Sequence, residues 1–183
     1  MPKVRIPKEM IIEAAFEITK NYGMEFVTAD AVAKKLNCSK IPIYWVFENM
    51  DSLKDVVLAK AKKKYTDCLL CKIPGVPDVS AIGLNYVRFS RDYPHLFKLI
   101  FFNDREENKS IVEHSLDDNK PYVVELIQQA YGIEDTHRAE DIYIKLGIFC
   151  NGIAAMIISK TSKFSDADVY RLLIEVTEKL VRE

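Results

Sequence analysis

Residues 27–47 have the sequence VTADAVAKKLNCSKIPIYWVF, in which the signals for two short helices follow one another closely. Thr28 can cap a helix, because its hydroxyl can accept a hydrogen bond from a free N–H group of the first turn. Asn37 can end that helix, since asparagine tolerates the left-handed backbone found at helix C-termini. Ser39 is then expected to cap a second short helix, Lys40 to about Phe47, after a turn of about three residues. Two short helices joined by such a turn predict a helix-turn-helix.

Further helices are predicted on both sides of this stretch. Before it, apolar residues recur at spacings of three and four from Pro7 to Tyr22, and Gly23 supplies the stop. After it, Asn49 can cap a long helix that ends before the break at Ile73–Pro77. Later helices are expected at about residues 79–92, 94–103, 110–131, 136–160 and 166–182.

The composition agrees with a helical protein. The chain has 183 residues, 49% of them hydrophobic, and only 6 glycines. That length suits a small domain joined to a medium one, and the apolar content suffices for packed cores. We therefore predict an all-α chain, with a three-helix helix-turn-helix domain at residues 1–50 and a helical bundle at residues 51–183.

The charge is distributed unevenly along the chain. Residues 1–64 carry 12 Lys and Arg against 8 Asp and Glu, a net charge of +4, whereas residues 65–183 carry 14 against 19, a net charge of −5. A basic head on an acidic body favours a polyanionic partner for the head. Chance scatter of surface charge is the alternative explanation.

Neither cysteine usage nor hydropathy indicates secretion. The four cysteines do not form a disulfide framework in a chain whose first residues lack a secretory apolar run. The most apolar stretch, Leu146–Ile158, has 13 residues, whereas a membrane-spanning helix needs about 20. We expect a cytoplasmic protein with no membrane partner, in which this stretch is a buried helix.

Motifs of catalysis are missing from the sequence. The glycines never cluster into a phosphate-binding loop, and the three histidines share no metal-ligand spacing. Cys68 and Cys71 form a lone C-x-x-C pattern, for which buried packing is favoured over a thiol sensor. We therefore expect no enzyme activity, no cofactor and no metal.

Residues 8–60 resemble the N-terminal signature of the TetR (tetracycline repressor) family of transcription regulators. The resemblance is carried by the alanine pair at Ala14, by Gly23, by Val27–Ser39 and Ile43–Phe47, and by Leu53, at the family's relative spacing. It implies a ligand-responsive, DNA-binding regulator, a repressor that a small molecule releases from a near-palindromic operator on double-stranded DNA. It also implies a larger C-terminal domain for effector binding and dimerisation.

The resemblance implies which residues meet DNA. Thr28 and Tyr44 would contact phosphates, and the start of the second short helix, with Trp45 one turn on, would face the bases. The DNA-binding candidates are Thr28, Ser39, Lys40, Ile41, Pro42, Tyr44, Trp45 and Lys54. Val32, Leu36, Ile43 and Phe47 would form the supporting core.

Three positions depart from the family pattern. Ile41, Val46 and Met50 stand where the family commonly has a small residue, a histidine and a lysine, and Lys54 is the candidate to replace the lost lysine. Pro42 is also unusual inside a recognition helix. The alternative function is therefore a TetR-like adaptor that has lost specific DNA readout and binds a partner protein.

An aromatic cluster marks the second domain. The pattern alone favours plain core, whereas the family plan implies a hollow that holds an apolar or aromatic effector. With no strong cluster of charge, we expect a neutral or weakly charged ligand. The effector-binding candidates are Tyr86, Phe89, Tyr93, Phe97, Phe101, Tyr122, Phe149 and Asn151.

The last two helices are predicted to form a homodimer. Residues 143–158 are apolar on nearly every side, so they must be covered on two faces. A matching stripe on the last helix comprises Val169, Leu172, Leu173, Val176 and Leu180. By the resemblance, these helices pair with their twofold mates, which would place two recognition helices about 34–36 Å apart or at a multiple of that distance.

Overall fold

The computed structural model describes residues 6–102 and 119–182, which form α-helices, one short 3₁₀ helix at Met24–Phe26 and no strands. The α-helices are α1 (Lys8–Tyr22), α2 (Ala29–Lys35), α3 (Ile41–Val46), α4 (Met50–Leu69), α5 (Asp78–Asp92), α6 (Pro94–Phe101), α7 (Lys120–Tyr131), α8 (Thr136–Ile158) and α9 (Asp166–Arg182). The predicted all-α fold is confirmed. The first part of the helix expected at about 110–131 lies outside the described residues.

The chain forms two compact units. The first comprises the residues up to Lys64 together with His95–Ile100 of α6, and the second comprises Tyr65–Pro94 and the residues from Phe101 onward. The division within α4 therefore falls between Lys64 and Tyr65. The domain boundary expected after residue 50 lies earlier, at the start of α4.

The first unit packs its helices around a continuous apolar core. Its fully buried side chains come from every α-helix of the unit and include Ile11, Ala15, Val32, Ile43, Leu53, Val57, Leu96 and Phe97. Lys60 on α4 pairs with Glu13 on α1 and lies 5.0 Å from the centroid of the Phe16 ring. These contacts fix α1 against α4.

Tyr22 is not buried as the α1 prediction expected. The spacing places it on the buried face, but its side chain is 62% exposed. It is the last residue of α1, and Gly23 follows it with φ +115°, so the chain turns away before a neighbour can cover the ring. Gly23 does end the helix as predicted, and its N–H donates to the Thr19 carbonyl.

The second unit has its own core. α5 packs against α8 and α9, and α7 packs against α8. The buried cluster that joins them consists of Val79, Val123, Val124, Ile127, Ile133, Ala139, Ile142, Tyr143 and Leu146. These four helices thus share one apolar core.

The helix α8 occupies nearly the predicted range of about 136–160 and extends well beyond the apolar stretch Leu146–Ile158. Among the described residues it alone is long and apolar enough to cross a membrane by length and composition, and a third of its most apolar window is buried within the chain. The argument from a length of 13 residues is therefore corrected. α8 nevertheless buries Ile142, Leu146 and Ile153 within its own unit, as a core helix does.

Candidate functional site

The helix α2 begins at the predicted cap. The Ala31 N–H donates to the Thr28 hydroxyl at 3.1 Å, and Asp30 lies in the first turn, where the helix dipole favours a negative charge. Val32 is fully buried, whereas Leu36 is only half-buried. The side of α2 that carries Thr28 and Asp30 is consequently exposed to solvent.

The turn between α2 and α3 is a Schellman motif. The Cys38 N–H donates to the Ala33 carbonyl at 3.0 Å, and the Asn37 N–H donates to the Lys34 carbonyl at 3.2 Å. Asn37 has φ +51°, the left-handed conformation predicted for it. This turn fixes the direction in which α3 leaves α2.

The predicted cap of α3 is wrong. The capping residue is Lys40, whose side chain makes no capping hydrogen bond, and Ser39 lies in the exposed turn before it. The turn therefore has five residues between α2 and α3 instead of about three. With Ser39 as cap, Pro42 would occupy the third helical position, where its missing N–H could not bond the serine hydroxyl. Starting α3 one residue later moves Pro42 into the second position, which suits proline better.

The helix α3 presents an apolar and aromatic outer face. Ile41, Tyr44 and Trp45 are 57%, 51% and 61% exposed, and Pro42 between them is half-buried. On the opposite side, Ile43 is fully buried and Phe47 is nearly so. Two anchors thus hold a short helix whose large side chains face solvent.

Lys40 is already paired with a carboxylate. Its ammonium nitrogen lies 3.0 Å from one oxygen of Asp30 and 3.3 Å from the other. Both side chains are largely exposed, so the pair adds little stability. Lys40, which we expect to contact DNA phosphates, is therefore already neutralised by Asp30 in the free protein. The sequence did not indicate this pairing.

The start of α4 follows the prediction. The Ser52 N–H donates to Asn49 Oδ1 at 2.9 Å, and the Asn49 N–H donates back to the Ser52 hydroxyl at 3.4 Å. Such reciprocal bonding satisfies two free N–H groups of the helix end. Lys54 is half-buried in the second turn of α4.

A cavity lies inside the second unit. Its volume is about 50 Å³. Five helices supply the lining residues: Tyr65 and Leu69 from α4, Val79, Ile82, Gly83 and Tyr86 from α5, Val123 and Ile127 from α7 with Asn119 just before it, Tyr143, Leu146, Gly147 and Cys150 from α8, and Leu173 and Thr177 from α9. The wall is mainly aliphatic and aromatic, with hydroxyl, amide and thiol groups as its polar atoms.

The predicted effector residues fall in different places around this cavity. Tyr86 lines it, and its hydroxyl donates to Asn151 Oδ1 at 3.1 Å. Phe89 and Phe101 stand behind the wall, with ring centroids 5.3 and 5.2 Å from that of Tyr65.

Like Phe89, Phe101 and Asn151, the other four candidates do not line the cavity. Tyr93 packs on Phe89 at 5.2 Å between ring centroids, and Phe97 is buried in the first unit. Tyr122 is exposed at a smaller hollow, and Phe149 is half-buried. Their assignment to an effector stays a prediction.

Sequence reasoning missed Tyr65, although a signal for it was present. On α4 the buried residues recur at every fourth position: Leu53, Val57, Ala61, Tyr65 and Leu69. A tyrosine on such a stripe is expected to face the interior. Thr177 and Cys150 had no comparable signal, since only the fold brings α8 and α9 beside α4.

The helix α8 leaves a second apolar face uncovered. Ile148 is 56% exposed, and Gly152, Ala155 and Met156 are exposed on the following turns. By contrast, the predicted stripe on α9 is used largely within the chain, because Val169 and Leu173 are buried there. The uncovered apolar surface therefore belongs mainly to α8.

The four cysteines are free thiols in different environments. Cys71 is exposed, Cys68 is half-buried, and Cys150 is buried. Burial raises the pKa of the Cys150 thiol to about 12, so this group stays protonated at neutral pH. Within residues 6–102 and 119–182, no cluster of three or more histidine, cysteine or acidic side chains could hold a metal ion.

Solved structures share this fold over nearly the whole chain, whereas no family model and no curated protein matches the sequence. A TetR-like transcriptional regulator from Rhodococcus sp. RHA1 has a TM-score of 0.65 at 16% identity, covering 96% of this chain and 97% of that one. The fatty acid degradation regulator FadR from Bacillus halodurans has a TM-score of 0.54 at 15% identity, covering 96% and 98%. NalD, the secondary repressor of the MexAB-OprM multidrug efflux pump in Pseudomonas aeruginosa, has a TM-score of 0.52 at 15% identity, covering 93% of each chain.

Proposed function

From the fold that this chain shares with TetR-like transcriptional regulators, we propose that it is a DNA-binding transcription regulator. The observation that carries the proposal is the exposure of Ile41, Tyr44 and Trp45 on a helix that Ile43 and Phe47 anchor from behind. Large exposed side chains on a short, well-fixed helix mark a binding surface. A helix of this kind, reached through a tight turn, fits the major groove of DNA.

On this surface, one group of residues contacts phosphates and another contacts base edges. Lys40, Tyr44 and the capping hydroxyl of Thr28 contact phosphates, which gives affinity without sequence preference. Ser39 and Lys54 are further phosphate candidates, since Ser39 is exposed and its hydroxyl does not cap α3. Ile41, Pro42 and Trp45 contact base edges, where their apolar surface suits the methyl group of thymine.

The regulator acts as a homodimer. The uncovered face of α8, centred on Ile148 and Met156, is apolar and needs a partner, and a second copy of the chain supplies an identical one. Twofold symmetry then presents two α3 helices to a near-palindromic operator. Because the dimer covers this face, α8 serves as a core helix of a cytoplasmic protein with no membrane partner.

A small molecule in the cavity of the second unit controls DNA binding, and the output is repression that the ligand relieves. NalD is itself a repressor, and the cavity supplies a place for an effector. The ligand favours one arrangement of α4, whose residues belong to both units. Coupling between two such sites is typically about 1–3 kcal/mol, which corresponds to roughly a 5–150-fold change in DNA affinity.

Selection of bound sequences from a random duplex library, followed by anisotropy titrations, tests DNA binding. We expect a palindromic consensus and an affinity that falls steeply with salt. Lys40→Ala should weaken all sequences alike and reduce the salt slope by about one, whereas Trp45→Ala should relax base preference at particular positions. If random and selected duplexes bind equally weakly and without salt dependence, the adaptor that binds a partner protein becomes the better explanation.

A further inference from the structure

The cavity in the second unit suits a neutral ligand. Its lining residues from the described part of the chain include no aspartate, glutamate, lysine, arginine or histidine. Burying a charge costs much free energy unless an opposite charge or several hydrogen bonds compensate for it. The wall therefore selects an uncharged molecule whose surface is mainly apolar.

The hydroxyl of Tyr65 is the unusual polar group of this wall. The residue is 4% exposed, and its buried hydroxyl makes no hydrogen bond with the described residues. Three neighbouring rings hold the phenol edge to face: Tyr86 at 6.2 Å, Phe89 at 5.3 Å and Phe101 at 5.2 Å between ring centroids. The hydroxyl is thus fixed in position by packing, and a buried hydroxyl without a partner gains most from a ligand that supplies one.

The other polar groups of the wall act differently. The Tyr86 hydroxyl donates to Asn151 Oδ1 at 3.1 Å, so its hydrogen is already used within the protein. The Cys150 thiol stays protonated at neutral pH because burial raises its pKa to about 12. A protonated thiol is a poor nucleophile, so we expect no covalent bond between this cysteine and a ligand.

We propose that the cavity binds a small neutral molecule with an apolar body and one carbonyl or hydroxyl oxygen, to which the Tyr65 hydroxyl donates a hydrogen bond. This inference rests on the proposed ligand response and names the chemical class of the ligand. The cavity, at about 50 Å³, is about a third the size of the engineered cavity of about 150 Å³ that holds benzene, so even a short ketone requires the wall to expand. Tyr65 directly follows Lys64 on α4, so the ligand contacts the helix that continues into the first unit.

The test compares probes that differ only in the polar group. 2-Butanone carries the oxygen, pentane has the same number of heavy atoms without it, and butanoate carries a charge. Binding of each to the full-length protein is followed by NMR titration of methyl signals, and 2-hexanone and 2-octanone report how far the cavity expands. We expect 2-butanone to bind best of the three small probes.

Two variants assign the effect to one hydroxyl. Tyr65→Phe should weaken 2-butanone about fivefold and leave pentane unchanged, because only the hydrogen bond is lost. Ser80→Ala is the matched control, since Ser80 also carries a buried hydroxyl without a described partner but does not line the cavity. Neither variant should lower the melting temperature of the free protein, because each removes an unpaired buried group.

Several outcomes would overturn the inference. They are equal 2-butanone affinity in wild type and Tyr65→Phe, tighter binding of butanoate, failure of every ketone to bind, or a large loss of stability in Tyr65→Phe. DNA binding is measured separately with ligand-free protein. Loss of the proposed regulator function would therefore appear in the DNA titration and leave the ketone result intact.

Discussion

Asp30 and Lys40 form an ion pair on the surface that we propose meets DNA. Phosphates would have to replace the Asp30 carboxylate as partner of the lysine, and Asp30 would repel them. Asp30→Asn should therefore tighten binding to any duplex by about fivefold at low salt, since unit charges about 4 Å apart in water interact by about 1 kcal/mol. The gain should shrink as salt rises, because exposed charges are screened. Anisotropy titrations across a salt series measure it.

Although Asp30→Asn should strengthen DNA binding, it should lower the stability of the folded protein. Asp30 lies in the first turn of α2, so its loss should cost about 0.3–1 kcal/mol of unfolding free energy. Glu9→Gln is the control, because it removes an exposed carboxylate from the first turn of α1 in the same unit. If Glu9→Gln strengthens DNA binding as much as Asp30→Asn does, net charge explains the result and the ion pair does not.

Among the contacts between helices, the carboxylate of Asp166 at the start of α9 binds two arginine side chains of α5. One of its carboxylate oxygens accepts from Arg88 Nε at 2.9 Å, and the other accepts from Arg91 Nη1 at 2.9 Å. These hydrogen bonds, with the attraction of both guanidinium groups, lower the pKa of Asp166. A carboxylate whose pKa is lower in the folded than in the unfolded state stabilises the fold above its ordinary pKa of about 3.9. That stabilisation is lost as the pH falls through the folded value.

Asp166→Asn should accordingly reduce the free energy of unfolding at pH 7 by about 1 kcal/mol or less, since the side chains are partly exposed. The deficit relative to wild type should begin to shrink below about pH 4, where the unfolded aspartate takes up a proton, and should vanish once the pH lies below the lowered pKa of the folded state. Urea unfolding at pH 7 and pH 3 measures both values. Glu175→Gln on the exposed face of α9 should have a smaller effect, because its pair with Arg171 is a single i,i+4 contact. A deficit that stays constant with pH would contradict the role of the ion pair.

Sequence reasoning located the elements well where a local interaction decides them. Thr28, Asn37 and Asn49 act within one turn of their own position, so their cap and turn roles could be predicted from residue type. The start of α3 could not, because the serine signal at Ser39 competes with the missing N–H of Pro42. The preference of serine for the capping position and the preference of proline for an early helical position conflicted there, and the helix starts where proline is better accommodated.

The set of residues that lines the cavity could not be predicted from the sequence, because its members come together only in the folded molecule. Tyr65 and Thr177 both line it, although more than a hundred residues separate them in the chain. An aromatic cluster in sequence predicted the region, yet Phe89 and Phe101 pack behind the wall instead of lining it. Periodicity identifies which face of a helix is buried but not which buried faces leave space between them.

The dimer can be tested at the uncovered face of α8. Ile148→Glu places a charge in the middle of the proposed interface, where it would be buried without a partner. The variant should sediment as a monomer of about 21.0 kDa at concentrations where the wild type is a dimer. Its affinity for a palindromic operator should fall about 10²–10⁴-fold, because two linked heads bind far more tightly than one. Its weak binding to random DNA should persist, since each head keeps its own α3.

Leu70→Glu supplies the control for that experiment. Leu70 is also an exposed apolar residue of the second unit, but it follows α4 and lies apart from the α8 face. We expect this variant to remain dimeric and to bind the operator normally. A dimeric Ile148→Glu protein with wild-type operator affinity would move the interface away from α8. The apolar face of α8 would then need another partner, because a helix with two apolar sides is not stable against water on one of them.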